Sequence, residues 1–337
     1  MDVISAFKRN ASIFRLSGSD AERYLHGRST QDIKSMVSGG EPRWALILTP
    51  QGKIESAFYV LKVADNDFLL VCEKRASQDS FEEDFMKSLL RFKVADQVVC
   101  EDVSLQNGLL SVSGIPEDSL IFSNARTLRQ EQENTSSSLF LFPVWRGNFC
   151  FLDIIYELSQ DLSVMDQFSS KLASSSLEFE LRESTPEYYE LLRVRAGHPV
   201  FNQDITQAIF APDLPAKKYI SFGKGCYAGQ EVVEMAKARG KPNRVFAQFK
   251  ADAPVSEISG NEISSREIFA VIDGEEIKAG FITSAVDDYE YGDLIALGFL
   301  KNTVLEKLGL KNDSLFVKGE DRIIPIFISS VFNDESL

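Results

Sequence analysis

Residues 224–231 read Lys-Gly-Cys-Tyr-Ala-Gly-Gln-Glu. A thiol, Cys226, stands between Gly225 and Gly229, with Lys224 two residues before it and Gln230-Glu231 opening an apolar-periodic run. The thiolate is the nucleophilic and metal-ligating form of cysteine, and a nearby cation or helix start favours it over the thiol. Glycine serves where a backbone turns sharply or lets another group come close. Two readings follow from the residues: a reactive or transiently ligating thiolate on a tight loop, or a strand-to-helix turn that tucks away a small apolar cysteine. The chain offers few other chemical groups of this kind. His26 and His198 are the two histidines, so a Ser-His-Asp triad or a histidine-rich metal site would have to use one of them. Cys72, Cys100, Cys150 and Cys226 lie far apart with no C-x-x-C pair, which argues against a zinc knuckle, a dithiol motif or a disulfide framework. One cysteine cannot hold an iron–sulfur cluster alone, so any cluster would be shared with a partner, a second subunit or a small thiol.

The elements that must position this loop are legible in outline. A helix over Gln230–Ala238 follows it and stops at Gly240 and Pro242. Upstream, Thr185-Pro186-Glu187 is a helix start with Thr185 as cap and Pro186 at the first helical position. That helix carries Tyr189, Leu192 and Val194 and closes at Gly197; a Pro- and Asp-rich loop, Ala211 to Lys218, leads on to the octapeptide. In the first half, Ser19-Asp20-Ala21-Glu22 reads as a capping box before a helix through Leu25 that ends near Gly27. Trp44–Thr49 and Ile54–Val63 form a hairpin across Pro50-Gln51-Gly52-Lys53, and Phe68–Cys72 follows a second turn. Phe81, Phe85, Leu89 and Leu90 give a helix over 75–90, and Phe92–Val103 and Leu109–Val112 are expected strands. Gln130–Ser138 reads as an exposed loop before strands at Leu139–Val144 and Phe149–Ile155. Strands, a helix and more strands make this half α+β, not a doubly wound parallel sheet. Past Arg244 come short strands at Val245–Phe249, Ile268–Ile272, Gly280–Val286, Leu294–Leu300 and Ile323–Ile328. They suit a barrel or sandwich of roughly 90 residues, with the main boundary near residue 245.

Composition bounds the function. The 337 residues suffice for two or three domains, and 44% apolar with 26% charged residues is ordinary for a globular protein. Lysine and arginine number 36 against 50 acidic residues, a net charge of −14 that repels phosphate backbones. No direct nucleic-acid binding is therefore expected, although Lys237 to Arg244 is a candidate basic patch. The start, Met1 to Phe7, lacks the pattern of a signal peptide, and no apolar run of about 18 residues is present to span a bilayer. The expectation is a cytoplasmic, reduced protein without membrane contact.

With these pieces in order, the chain resembles the YgfZ family of folate-binding proteins, relatives of the glycine-cleavage T-protein. The likeness rests first on Lys224 to Glu231, and continues through Met235-Ala236-Lys237-Ala238-Arg239-Gly240. It extends to Gly18-Ser19-Asp20-Ala21 with Tyr24-Leu25 and Thr30-Gln31-Asp32, to Leu48-Thr49-Pro50-Gln51-Gly52-Lys53, and to Leu192-Arg193 with Ala196-Gly197-His198-Pro199. The resemblance implies two interleaved α+β lobes around a central opening, the second over roughly residues 45–145, within a folate-binding region 1–244. A C-terminal β-barrel domain, residues 245–337, completes it. It implies tetrahydrofolate or a one-carbon derivative as ligand. It also implies partners among iron–sulfur client or assembly proteins, and a link to tRNA modification that is indirect.

A reduced folate carries a flat pterin, an aromatic linker and glutamate carboxylates, so its site needs an apolar slot, a few polar groups and a cation. Tyr227 and Trp44 are candidates for stacking, or simply core. Gln230 and Glu231 suit the pterin edge, yet an acid in a first turn also favours the helix dipole. Lys224, Lys237 and Arg239 are candidate carboxylate partners, or solvated cations. Asp32 and Thr30 line the pocket or cap a turn, while Gly225 and Gly229 let the backbone approach the ligand. Cys226 is the central functional group, and no metal site is expected. Where the T-protein pattern has an acid before its Ala-Gly pair, this chain has Arg195, which leaves the pterin-facing carboxylate unassigned. That departure, with Cys226 in the signature, counts against the alternative of a folate-dependent aminomethyltransferase or other one-carbon enzyme.

Overall fold

The computed structural model describes every residue except 1, 74–79, 116–139, 148, 161–163, 174–178, 239, 241, 253, 309–314 and 333–337. The chain divides into two compact units. One comprises residues 1–47, 56–189 and 223–227; the other comprises residues 48–55, 190–222 and 228–337.

The first unit is built on two five-stranded sheets. In chain order its elements are β1 (Asp2–Arg9), β2 (Ala11–Ser17), α1 (Ala21–Arg28), β3 (Arg43–Leu48), β4 (Ile54–Ala64), β5 (Asp67–Glu73), α2 (Phe81–Leu90) and β6 (Val99–Asp102). Then come β7 (Asn107–Ser113), β8 (Phe140–Arg146), β9 (Phe149–Glu157), α3 (Val164–Ala173), β10 (Phe179–Glu183) and α4 (Pro186–Arg195); Leu48 of β3, Ile54 and Glu55 of β4 and the last residues of α4 belong to the second unit. One sheet has the order β10-β1-β7-β9-β8, the other β3-β4-β5-β2-β6. β4 is buried almost without a break from Ile54 to Leu61, the pattern of a strand covered on both faces. A cluster of Ile4, Ala6, Leu110, Val112, Leu152 and Ile154, with Val164 and Phe168 of α3, forms the core on one side of the first sheet.

The second unit carries a closed antiparallel barrel of order β11-β14-β13-β12-β15-β16. Its strands are β11 (Arg244–Ala251), β12 (Glu267–Ile272), β13 (Glu275–Asp288), β14 (Asp293–Lys301), β15 (Leu315–Lys318) and β16 (Ile323–Phe332). β16 alternates exposed and buried residues over its first seven positions, one face on the barrel core and one on solvent. Closure leaves no free edge among these strands. Of the two forms the spacing allowed, the barrel is the one adopted.

The α+β class expected from the element pattern is what the chain adopts, and the helix start at Thr185-Pro186 and the stop at Gly240 are both present. Several local expectations fail for identifiable reasons. Ser19 and Glu22 form no capping box: the first-turn N–H of Glu22 goes to Asn66 Oδ1 (3.1 Å) and the Glu22 carboxylate accepts from buried Lys62 (2.7 Å). Asp20, at the cap, accepts from the Gln97 N–H instead (2.8 Å). A capping box does form elsewhere, at Ser259 with Glu262. The strand expected over Phe92–Val103 shrinks to β6, because turns at Lys93 and Val98 return their N–H groups to Leu90 and Asp96. α2 begins at Phe81; the expected residues 75–79 and the loop Gln130–Ser138 lie outside the described residues. β1, β2, α3 and β10 were not anticipated.

Candidate functional site

The octapeptide is shared between the units, and each part has its own anchorage. In the first unit Lys224 is half-buried, and its Nζ donates to the carbonyl oxygens of His26, Ser29 (2.7 Å) and Gln31 (2.7 Å). Burial pushes Lys224 down to about 7. Three carbonyls nevertheless match the three N–H donors of the ammonium, and a neutral amine would turn a lone pair toward one of them. The geometry therefore belongs to the charged form. Lys224 thus clips the loop to the last turn of α1 and the backbone that follows it, and its donors are used there. Its Nζ also lies 5.1 Å from the ring centroid of Tyr227, which is buried.

The same backbone stretch carries Asp32 and His26. Asp32 Oδ1 lies 3.3 Å from His26 Nδ1, without an aligned hydrogen bond, and accepts from the Ser35 N–H (3.4 Å). Burial raises Asp32, but the Ser35 bonds and the His26 and Arg43 charges outweigh it and leave it low. Burial, then the Lys224 charge, hold His26 below its usual range. Thr30 exchanges hydrogen bonds with Leu46 and is buried, a structural role. Gln31 ties two predicted residues together: its carbonyl accepts from Lys224 and its side-chain amide donates to the Trp44 carbonyl (3.0 Å). Cys226 is exposed, and Gly225 beside it is exposed and faces His26 Nε2. The turn does not seal the thiol into a core.

In the second unit Gly229 has φ +83°, and a Cβ there would stand 2.6 Å from the Thr49 carbonyl oxygen and 3.0 Å from Leu48 Cβ. Only glycine fits this bend against the Leu48–Glu55 segment. α5 (Gln230–Ala238) begins immediately after it, with Gln230 half-buried and Glu231 exposed in its first turn. Lys237 is exposed and stacks over Phe222 at 4.1 Å. Arg239 lies outside the described residues.

Sequence reasoning missed a buried polar cluster between the two sheets of the first unit. Arg146 of β8, fully buried, donates to both oxygens of Asp153 on β9 (3.0 and 2.6 Å) and to Glu73 on β5 (2.6 Å). Tyr59 and Ser111 hydroxyls donate to the same Asp153 (2.8 and 2.7 Å). Burial works against the Arg146 charge, but Asp153 and Glu73 outweigh it and raise the group. Arg9, at the end of β1, reaches Glu73 at 3.4 Å and lies over the Tyr189 ring at 3.2 Å. Trp44, mostly buried, stands edge-on to Tyr59 at 5.2 Å and donates its Nε1–H to the Trp145 carbonyl (3.0 Å). Charged residues on otherwise apolar strands, such as Glu73 after Phe68–Cys72 and Asp153 inside Phe149–Ile155, were the available signal.

Arg195, at the position where T-protein relatives carry an acid, is spent within the second unit. It donates to both carboxylate oxygens of buried Asp288 (2.7 Å from Nε) and to Glu290 (2.8 Å). The Asp288 hydrogen bonds, ahead of burial, push Arg195 upward. Two surface clefts lie elsewhere, one of about 600 Å³ beside Arg15, Leu105 and Leu158, the other of about 440 Å³ beside Arg266 and Arg322. Among the described residues no group of three or more His, Cys, Asp or Glu is placed to hold a metal, and no helix is long and apolar enough to cross a membrane.

No protein-family model matches the chain. Curated relatives do. A tRNA-modifying protein YgfZ from Enterobacter sp. (strain 638) is 26% identical over 253 residues, 74% of this chain and 72% of that protein. The tRNA-modifying protein YgfZ of Escherichia coli O127:H6 is 25% identical over the same shares. Among solved structures, the glycine cleavage system aminomethyltransferase T from Bartonella henselae superposes with a TM-score of 0.74, covering 98% of this chain and 86% of that one at 15% identity. The sequence likeness to YgfZ proteins, on a chain with the fold of the aminomethyltransferase, bears out the resemblance carried by residues 224–231.

Proposed function

We propose that this chain binds a reduced folate and supports the assembly or repair of iron–sulfur enzymes, and through them tRNA modification, with Cys226 as its working thiol. The observation that carries the reading is the presentation of Cys226: an exposed thiol on a loop clipped by Lys224 to three backbone carbonyls, in a YgfZ-type chain. The relatives' name, tRNA-modifying protein, supplies the direction. With it goes the division into a folate-binding region, 1–244, and a barrel domain, 245–337.

The residues of the first unit suit a folate. Trp44, Tyr59, Phe151 and Tyr189 pack their rings around a polar cluster, and Arg9 Nη1 and the Tyr189 hydroxyl are buried without a hydrogen-bond partner. A bound folate would bring a one-carbon carrier and a hydrogen-bonding heterocycle to these groups. The chain's own part is to exclude water around the rings, keep the Lys224 clip closed and hold the Cys226 sulfur in solvent's reach. The candidate ligand residues of the octapeptide, Gly225, Tyr227, Gly229, Gln230 and Glu231, with Arg239, Trp44 and Asp32, are proposed on the same basis. Lys224 enters as the residue that fixes the loop. The aminomethyltransferase alternative loses ground, because Arg195 is a cation committed to Asp288 where that chemistry's relatives have an acid.

Titration of the purified protein with folinic acid, a stable reduced folate, tests the reading. Saturable binding is expected. A flat titration, together with normal growth of cells lacking the protein on iron–sulfur-dependent media, would rule it out.

A further inference from the structure

Two unspent hydrogen-bond donors lie side by side inside the first unit. Arg9 has a side chain only 10% exposed; its Nη2 reaches Glu73, while Nη1 is buried with no partner. Tyr189, 5% exposed, has its ring 3.2 Å beneath the Arg9 guanidinium and its hydroxyl also without a partner. A buried donor left unpaired costs about 1–3 kcal/mol, more when it is charged, so native proteins keep few of them without a reason. Burial pushes the Tyr189 phenol up to about 12, so its proton stays in place to be donated.

Charge decides what these donors are built to receive. Arg9 and Arg146 balance Glu73 and Asp153 within the cluster, so an added carboxylate would be an uncompensated buried anion. A neutral oxygen with two lone pairs fits instead. We infer that Arg9 and Tyr189 form a receptor for a carbonyl oxygen, the lactam oxygen of a folate's pterin ring. The inference rests on the folate reading above and assigns two residues to it. In this role the folate's glutamate tail lies away from Arg9.

The test compares folinic acid with tetrahydroaminopterin, in which an amino group replaces the lactam oxygen, on wild type and Tyr189→Phe. The substitution keeps the ring and removes a hydroxyl that has no protein partner, so thermal stability should not fall. Folinic acid should bind wild type and lose roughly tenfold in affinity to Tyr189→Phe, one hydrogen bond's worth. Tetrahydroaminopterin should bind weakly and equally to both proteins. Unchanged folinic acid affinity in Tyr189→Phe, or equal affinity of wild type for the two ligands, overturns the inference while leaving folate binding intact. No binding of either ligand by wild type removes the folate reading and this assignment with it.

Discussion

Lys224 shows how little a residue's place in a motif says about the partners it finds. Its place in the octapeptide marks it as important, and its charge suggests a carboxylate partner. The structure spends that charge on one carbonyl in the last turn of α1 and two in the α1–β3 connection. Nothing in the order of residues announces carbonyl acceptors nearly two hundred positions away. Lys224→Met would strand those acceptors, at about 1–3 kcal/mol for an unsatisfied buried group. We expect a urea midpoint lowered by roughly 2–4 kcal/mol in stability, with the slope unchanged. A midpoint equal to wild type would show that water replaces the ammonium and that the clip is not what holds the loop. Cys226, by contrast, is exposed, so its removal should leave stability within about 0.5 kcal/mol. Arg9, Glu73 and Arg146 escaped notice, and Tyr189 was placed only on its helix, because their meaning lies in the packing of two sheets and not in their sequence neighbours.

At the scale of elements, strong local signals survived and weak ones gave way to neighbours. Pro186 starts α4 and Gly240 ends α5 because each acts on its own backbone. The capping box at Ser19 failed because Asn66 and Lys62, from the β4–β5 turn and β4, offered Glu22 better partners. The C-terminal end of α4 is held in the second unit by Gln248, whose amide donates to the Val194 and Arg195 carbonyls (2.7 and 3.1 Å), and by the Arg195–Asp288 pair. Burial raises Asp288, but its bonds to Arg195 outweigh this and hold it below its ordinary 3.8. A depressed carboxylate stabilises the fold above its unfolded value and loses that contribution as pH falls through the folded one. Stability should therefore decline as acid is added below pH 3.8. Asp288→Asn should be less stable at neutral pH and show a shallower acid decline, read by thermal melts across pH. Identical acid slopes would remove Asp288 from the balance. Gly229→Ala tests the bend before α5. With φ at +83° and the Thr49 oxygen 2.6 Å from the new Cβ, we expect a loss of 1 kcal/mol or more, roughly, by chemical denaturation. No loss would show that the Leu48–Glu55 segment yields.

Over the whole molecule, composition and strand spacing proved good guides to class and poor ones to connectivity. The barrel strands were visible because turns at Asp273-Gly274 and its like punctuate them. β1 and β10 were not, because their pairing is parallel and joins the first residues of the chain to residues 179–183, beyond any local pattern. The net charge of −14 speaks to partners at the same scale. Filter binding of bulk tRNA should give only weak retention that vanishes with added salt, since few phosphate contacts can form against such a field. Tight, salt-resistant retention would make the link to tRNA direct. The most direct test of the proposed role separates the ligand from the thiol. Cys226→Ala would be assayed for folinic acid binding and for rescue of an Escherichia coli strain lacking its YgfZ. Wild-type affinity with no rescue is the expected result; full rescue by the thiol-free protein would contradict a working role for Cys226.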